Sequence, residues 1–356
     1  MELAVIGGTF DSKNGKKSAI VEQVSKYASE YATVCTTNGG NLTHLRSWIN
    51  NNGLTHAQAA LWMPNIDNSE DKILPVIKKR YPHLILVQSK RSVEKEYNYF
   101  DVISRMLDSH AALGLIVSRP NGSLVFSLVD PLGNIYAENA SLQEMCRALM
   151  IRLLKISRMT RQRSEKIGDR IDFEVEEDFL KAAKFLGSEF TKYVTAVNPN
   201  RFLGNVSTRC CYGFPSARSK CGTIYISKRN VDKTIINSNQ FVEVNRIGLE
   251  GNVVGYRGHL KPSVDTPIQL KLYDIYQNVN YMVHGHVYVG GAPFTKTSIP
   301  CGFLEEAEEV VQAIPDKNVS NVVVNLVGHG CLMMAKDISY FYDHEFISRP
   351  TIEPGR

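Results

Sequence analysis

His284-Gly285-His286 places two imidazoles one residue apart, directly after the apolar, β-prone run Val279-Asn280-Tyr281-Met282-Val283. Side chains alternate faces along an extended segment, so residues i and i+2 share one face and can hold a metal ion together. A third imidazole stands at His329-Gly330, after the still more β-prone run Val322 to Val327. Each histidine is therefore expected at or just past a strand end. Three neutral imidazoles with an open fourth position suit a catalytic zinc or a similar divalent ion, with Mn2+ or Fe2+ as the other candidates. The alternative for each, taken alone, is an ordinary core or surface histidine.

Four short motifs follow one another along the chain: Gly204-Asn205-Val206-Ser207, Pro262-Ser263-Val264-Asp265, His284-Gly285-His286 and His329-Gly330. In this order they resemble the class II aldolase/adducin family, whose members carry a GNxS loop, a PSS-[ED] segment, an HTH-like histidine pair and a later HG. The resemblance covers roughly residues 173–341. It implies that His284, His286 and His329 are the metal ligands and that Asp265 lies beside the ion as acid/base. It also implies that Gly204, Asn205 and Ser263 bind substrate. Asp265 followed by Thr266-Pro267 leans toward the ribulose-phosphate 4-epimerase and fuculose-phosphate aldolase branch.

Such residues suit one kind of reaction. A divalent cation can accept the carbonyl and hydroxyl oxygens of a ketose and stabilise the enediolate left when a carbon–carbon bond opens. A positioned carboxylate can move the proton, typically for about 10²–10⁴-fold in rate. Backbone N–H groups of a glycine-containing loop can hold a phosphate beside the reacting carbons. The expectation is metal-dependent aldolase or epimerase chemistry on a phosphorylated or otherwise anionic sugar-like substrate. The alternatives are a dehydratase or iron-dependent oxygenase on the same scaffold, and a non-catalytic assembly module of the adducin kind. Retention of three histidines and Asp265 argues against the last.

The chain departs from the family pattern in places. Where sugar-phosphate members have a Thr/Ser-Gly turn, it reads Ile226-Ser227-Lys228-Arg229-Asn230, and the second serine of the PSS segment is Val264. Arg229, assigned here to substrate, supplies a charged fork that suits phosphate or carboxylate; the other reading of Arg229 and Lys228 is a pair of solvated turn residues. Glu305, Glu306, Tyr340 and Tyr342 read as helix-surface acids and core-edge tyrosines.

The elements that must position these residues are legible as two α/β domains. Residues 1–160 alternate strand and helix, with strand-like runs at 2–6, 32–35, 59–63 and 84–88 and helical stretches after the first and third. That is the pattern of a Rossmann- or flavodoxin-like parallel sheet. Leu113–Val117 and Leu124–Val129, joined around Asn121-Gly122, predict an antiparallel hairpin at the sheet edge. Leu142–Ile156 predicts a last helix. Basic residues Arg158, Arg161, Arg163, Lys166 and Arg170 mark 161–172 as a linker. For residues 173–356 the resemblance implies an aldolase-like α/β/α domain, and Phe173, Phe179, Ala183, Leu186 and Phe190 at helical spacing predict a helix at its start.

In open sheets of this kind ligands sit past the carboxyl ends of the strands. Gly7, Gly8 and Thr9 are therefore the candidate cofactor-binding residues of the first domain, for a nucleotide or phosphate. Two lookalikes are set aside there. Gly7-Gly8-Thr9-Phe10-Asp11 is not followed by HxGH, and Gly15-Lys16-Lys17-Ser18 lacks the earlier glycine of a Walker loop, position 10 being Phe10.

With 356 residues, 43% hydrophobic and 22% charged, the chain is long enough for two globular cores. A net charge of +5 gives little support to nucleic-acid binding. No apolar run is long enough for a membrane span, and Met1-Glu2-Leu3 enters a strand with no signal-peptide layout, so the cytoplasm is the expected location. Cys35, Cys146, Cys210, Cys211, Cys221, Cys301 and Cys331 show neither CxxC pairing nor framework spacing and read as reduced thiols. By resemblance alone a homo-oligomer, a cyclic tetramer, is expected, with a small-molecule substrate as the partner.

Overall fold

The computed structural model describes residues 1–66, 73–91, 98–194, 201–209, 222–248, 251–350 and 353–354. Cysteines 210, 211 and 221 lie outside the described residues. The chain divides into two compact units, Met1–Arg158 with Ile352–Gly355, and Met159–Thr351 with Arg356.

The first unit is a doubly wound α/β layer. It comprises β1 (Glu2–Asp11), α1 (Ala19–Ala28), β2 (Thr33–Asn41), α2 (Leu42–Asn50), β3 (Ala59–Ile66), α3 (Ile73–Arg80) and β4 (Ile85–Arg91). These are followed by α4 (Tyr99–Ser109), β5 (Leu113–Ser118), β6 (Val125–Val129), β7 (Asn134–Ala140) and α5 (Leu142–Ser157). Strands β1 to β5 pair in parallel in the order β2-β1-β3-β4-β5, the flavodoxin-like order. Leu3, Ala4, Val5 and Ile6 of β1 are fully buried, as the near-continuous apolar run of a strand covered on both faces requires.

Three expectations are corrected in this unit. Helices follow β2 and β4 as well as β1 and β3. The β5–β6 pair is antiparallel as expected, but it is not the edge, because β7 pairs with β6 and Glu353–Pro354 pairs in parallel with β7. The same two residues place part of the C-terminal stretch with the first unit.

The second unit contains β8 (Arg163–Gly168), α6 (Glu177–Tyr193), β9 (Asn205–Arg209), β10 (Ile224–Ser227), β11 (Phe241–Ile247), β12 (Val253–Arg257) and α7 (Thr266–Ile275). After these come β13 (Tyr281–Gly285), β14 (Tyr288–Val289), α8 (Glu305–Ala313), β15 (Asn321–Leu326), β16 (Gly330–Ala335) and β17 (Phe346–Ile347). Its main sheet has the order β15-β16-β13-β9-β10-β11-β12-β8. Every pair is antiparallel except β12–β8. Arg163–Gly168 is thus an edge strand and not a linker; a strand that pairs on one side only tolerates the charges that concealed it.

Alternation along the strands divides the core in two. Tyr281, Val283, Cys331 and Met333 share one cluster with Phe179, Leu186 and Phe190 of α6. Met282, Leu332 and Met334 share the other with Ile268 and Leu272 of α7 and Ala307 and Val310 of α8. The result is an α/β/α sandwich, helix α6 on one face and α7 with α8 on the other. Among the described residues no helix is long and apolar enough to cross a membrane.

Candidate metal centre

The strand period decides which face the histidines take. Met282 packs toward α7 and α8, so His284, two residues on in β13, points the same way. Antiparallel pairing sets the end of β13 against the start of β16, with Gly285 opposite Cys331. His329 lies in the tight turn between β15 and β16, its N–H donating to the Leu326 carbonyl at 2.9 Å. The three imidazoles therefore meet: each offers one nitrogen within 4.8 Å of the others, and the ring centroids are 4.5, 5.0 and 5.1 Å apart.

Two glycines make this approach possible. Gly204 has φ +77°, and a Cβ there would lie 2.2 Å from the His284 carbonyl oxygen. Between the paired histidines, a Cβ on Gly285 would lie 2.5 Å from the Phe190 ring of α6.

The hydrogen bonds of the rings bear on ligation. His284 Nδ1 lies 2.8 Å from the Cys331 carbonyl. A carbonyl only accepts, so Nδ1 carries the hydrogen and Nε2 keeps a lone pair. That Nε2 is buried without a partner, and so is His286 Nδ1. A buried polar atom left unpaired costs about 1–3 kcal/mol, which coordination to an ion would offset. Burial, with the neighbouring His329, pushes the pKa of both rings well below the ordinary value of 6.5, favouring the neutral, ligating form.

His329 differs. Its Nδ1 pairs with Glu306 Oε1 at 2.6 Å, and its Nε2 is 3.2 Å from Cys301 Sγ. Burial lowers its pKa, but Cys301 and Glu306 outweigh that and hold it well above 6.5. A carboxylate on the second nitrogen of a metal-binding histidine is a common orienting device.

Asp265 is the residue before α7, and its side chain makes no cap bond. Oδ2 accepts from Asn205 Nδ2 at 3.1 Å, while Oδ1 is buried without a partner. Asn205 Oδ1 in turn accepts from Gln269 Nε2. Burial pushes the pKa of Asp265 above the ordinary 3.8, with His329 acting against it. Asp265, Gln269, His284 and Glu306 line one small cavity with Val310 and Leu332.

The structure thus brings His284, His286, His329, Asp265 and Asn205 together. Ser263 supports them, its Oγ 3.4 Å from the Asp265 amide N. Gly204 sits against the His284 carbonyl. Arg229 is exposed, and its Nε donates to the Pro262 carbonyl at 3.0 Å, beside the same segment. Gly7, Gly8 and Thr9 belong to the first unit, where the Thr9 amide is already spent on the Lys16 carbonyl at 2.7 Å and the Gly15 amide on the Gly40 carbonyl at 3.0 Å.

Several participants escaped the sequence reading. Glu306, read as a helix-surface acid, is 4% exposed and bonded to His329. Four of the first five residues of α8 are glutamates, so composition does not separate Glu306 from its neighbours. Glu305 instead accepts from the Thr160 amide at 2.8 Å. Tyr340 and Tyr342 are core-edge residues as expected, Tyr340 packing on the α6 core and Tyr342 ring to ring with Phe185. Lys233 is buried, its Nζ donating to the Leu203 carbonyl at 2.7 Å just before Gly204, and burial lowers its pKa to about 8.

Residues 200–292 match the family model of the Class II Aldolase and Adducin N-terminal domain. No match was found among the curated proteins. Solved structures similar to parts of the chain include an L-fuculose-1-phosphate aldolase from Thermus thermophilus, 17% identical, covering 46% of this chain and 81% of that one at a TM-score of 0.31. A DNA/pantothenate metabolism flavoprotein from Streptococcus pneumoniae is 9% identical, covering 44% and 98% at 0.35. The N-terminal class II aldolase domain of a conserved protein from Thermoplasma acidophilum is 15% identical, covering 49% and 90% at 0.32. The resemblance read from the motifs is borne out over residues 200–292, a stretch of the second unit that holds three of the four motifs and is similar to that family.

Proposed function

We propose that the second unit is a divalent-metal-dependent enzyme of the aldolase or sugar-phosphate epimerase type, acting on a phosphorylated or otherwise anionic sugar-like substrate. The observation that carries this reading is the convergence of His284, His286 and His329, with His284 Nε2 buried, unpaired and in the ligating tautomer. Bound there, most simply as zinc, the ion would act as a Lewis acid toward the substrate's carbonyl and hydroxyl oxygens and offset the charge left when a carbon–carbon bond opens.

The chain's own residues do the rest. Asn205, itself oriented by Gln269, fixes Asp265 through Oδ2 and leaves Oδ1 to take a proton from a substrate hydroxyl or return one to carbon. Glu306 orients His329 through Nδ1. Arg229, beside the Pro262–Asp265 segment, is positioned to balance the charge of an anionic substrate. A homo-oligomer in the cytoplasm is part of the same proposal, as is a nucleotide-like or phosphate ligand for the first unit.

Incubating the metal-loaded protein with a panel of ketose phosphates tests the reading. Cleavage or epimerisation of at least one, lost in His284→Ala, is the expected result. A metal-free protein of full activity would overturn it.

A further inference from the structure

His329 also belongs to a second set of donor atoms, beside the three-histidine one. Cys301 Sγ lies 3.2 Å from His329 Nε2, and Asp265, Cys301 and His329 each offer a donor atom within 4.8 Å of the other two. Nδ1 of His329 is taken by Glu306, which leaves Nε2, the nitrogen beside the thiol, as the one able to ligate an ion. Metal–sulfur and metal–nitrogen bonds of about 2.3 and 2.0–2.1 Å at a tetrahedral angle put neighbouring sulfur and nitrogen ligands about 3.5 Å apart. The observed separation is close to that. A second atom of the cluster also awaits a partner, because Asp265 Oδ1 is unpaired although the residue is only 7% exposed.

The thiol is held in place by its loop. The amides of Lys296 and Thr297 donate to Glu309 Oε2 at 2.8 and 3.0 Å, ahead of Cys301. After it, the Leu304 amide donates to the Thr160 carbonyl at 3.0 Å.

We propose that Cys301 is a thiolate ligand of the divalent ion held by His329, filling in the resting protein the coordination position that a substrate oxygen takes during turnover. The sulfur–metal bond forms as the S–H bond breaks, the proton passing to solvent, with no change of oxidation state. This rests on the metal reading above and adds a soft donor to an otherwise all-nitrogen set of protein ligands, which favours zinc over magnesium or manganese.

The test is cobalt substitution of the metal-stripped, full-length protein. Wild type should show the visible ligand-field bands of bound Co2+ together with an intense near-ultraviolet sulfur-to-cobalt charge-transfer band. Cys301→Ser, and Cys301→Ala should the first variant fold poorly, should keep the visible bands and lose the charge-transfer band. Visible bands without charge transfer in the wild type would overturn the thiolate and leave the histidine site standing. Persistence of the band in both variants would also overturn it. Failure of the wild type to bind cobalt at all would overturn the thiolate and the metal reading together.

Discussion

The Asn205 amide grips one oxygen of Asp265 and leaves the other unpaired, while burial pushes the carboxyl's pKa upward. A group held this way is suited to proton transfer, not to structural pairing. Asp265→Asn should therefore retain the ion and lose about 10²–10⁴-fold in turnover; full activity would reduce the residue to scaffold. The same shift carries a stability consequence. A carboxyl whose folded pKa is raised favours the folded state least once pH has risen through that pKa, and the penalty disappears below its ordinary value of 3.8. Metal-free Asp265→Asn should then melt above metal-free wild type near neutrality, by a margin that shrinks on acidification. An equal margin at every pH would contradict the account. Glu306 is the other acid of consequence. Glu306→Gln should weaken metal binding about 10–100-fold in a chelator competition, and unchanged affinity would make the contact mere packing.

At the scale of elements, the histidine motifs were legible because they lie at strand ends, where a period of two fixes the face and the apolar run marks the strand. Glu306 was not. Whether Glu305 or Glu306 of α8 turns inward depends on how that helix is rotated against β15 and α7, and a run of glutamates carries no sign of it. Helix α2 was hidden for a different reason: it starts one residue after β2 ends, and its apolar face consists only of Leu42, Leu45 and Ile49. Its Asn41 cap, accepting from the Thr43 amide at 2.8 Å, was the available signal. Strand β8 was hidden by its charges. The family motifs were more telling than propensity here, since Gly204 is required by an approach to His284 that only the assembled sheet reveals. Gly204→Ala should destabilise the second unit by about 1–2 kcal/mol from the left-handed backbone alone, and by more from overlap with the His284 carbonyl. A urea midpoint equal to that of wild type would contradict the packing described.

For the whole molecule, two α/β units were expected, and a sheet with five parallel strands extended by antiparallel ones and a three-layer sandwich are present. The tail that sends Glu353–Pro354 to pair with β7 was not foreseeable, because two residues carry no pattern. In the second unit the described residues bring three histidines within reach of one another, beside Asp265. Burial holds His284 and His286 well below 6.5, so the metal-free fold loses stability as pH falls through that ordinary value, where the unfolded rings take up protons. Protons and metal compete for the same nitrogens. If zinc occupies the proposed site it should raise the melting temperature, by a margin that shrinks as pH drops from about 8 to about 5, and a constant rise would argue that the ion sits elsewhere. The most direct test of the central claim is the metal content of protein purified without added metal, set beside His284→Ala, His286→Ala and His329→Ala. About one divalent ion per chain in the wild type and its loss in each variant is the predicted result; an ion retained by all three folded variants, or no ion in the wild type, would contradict it.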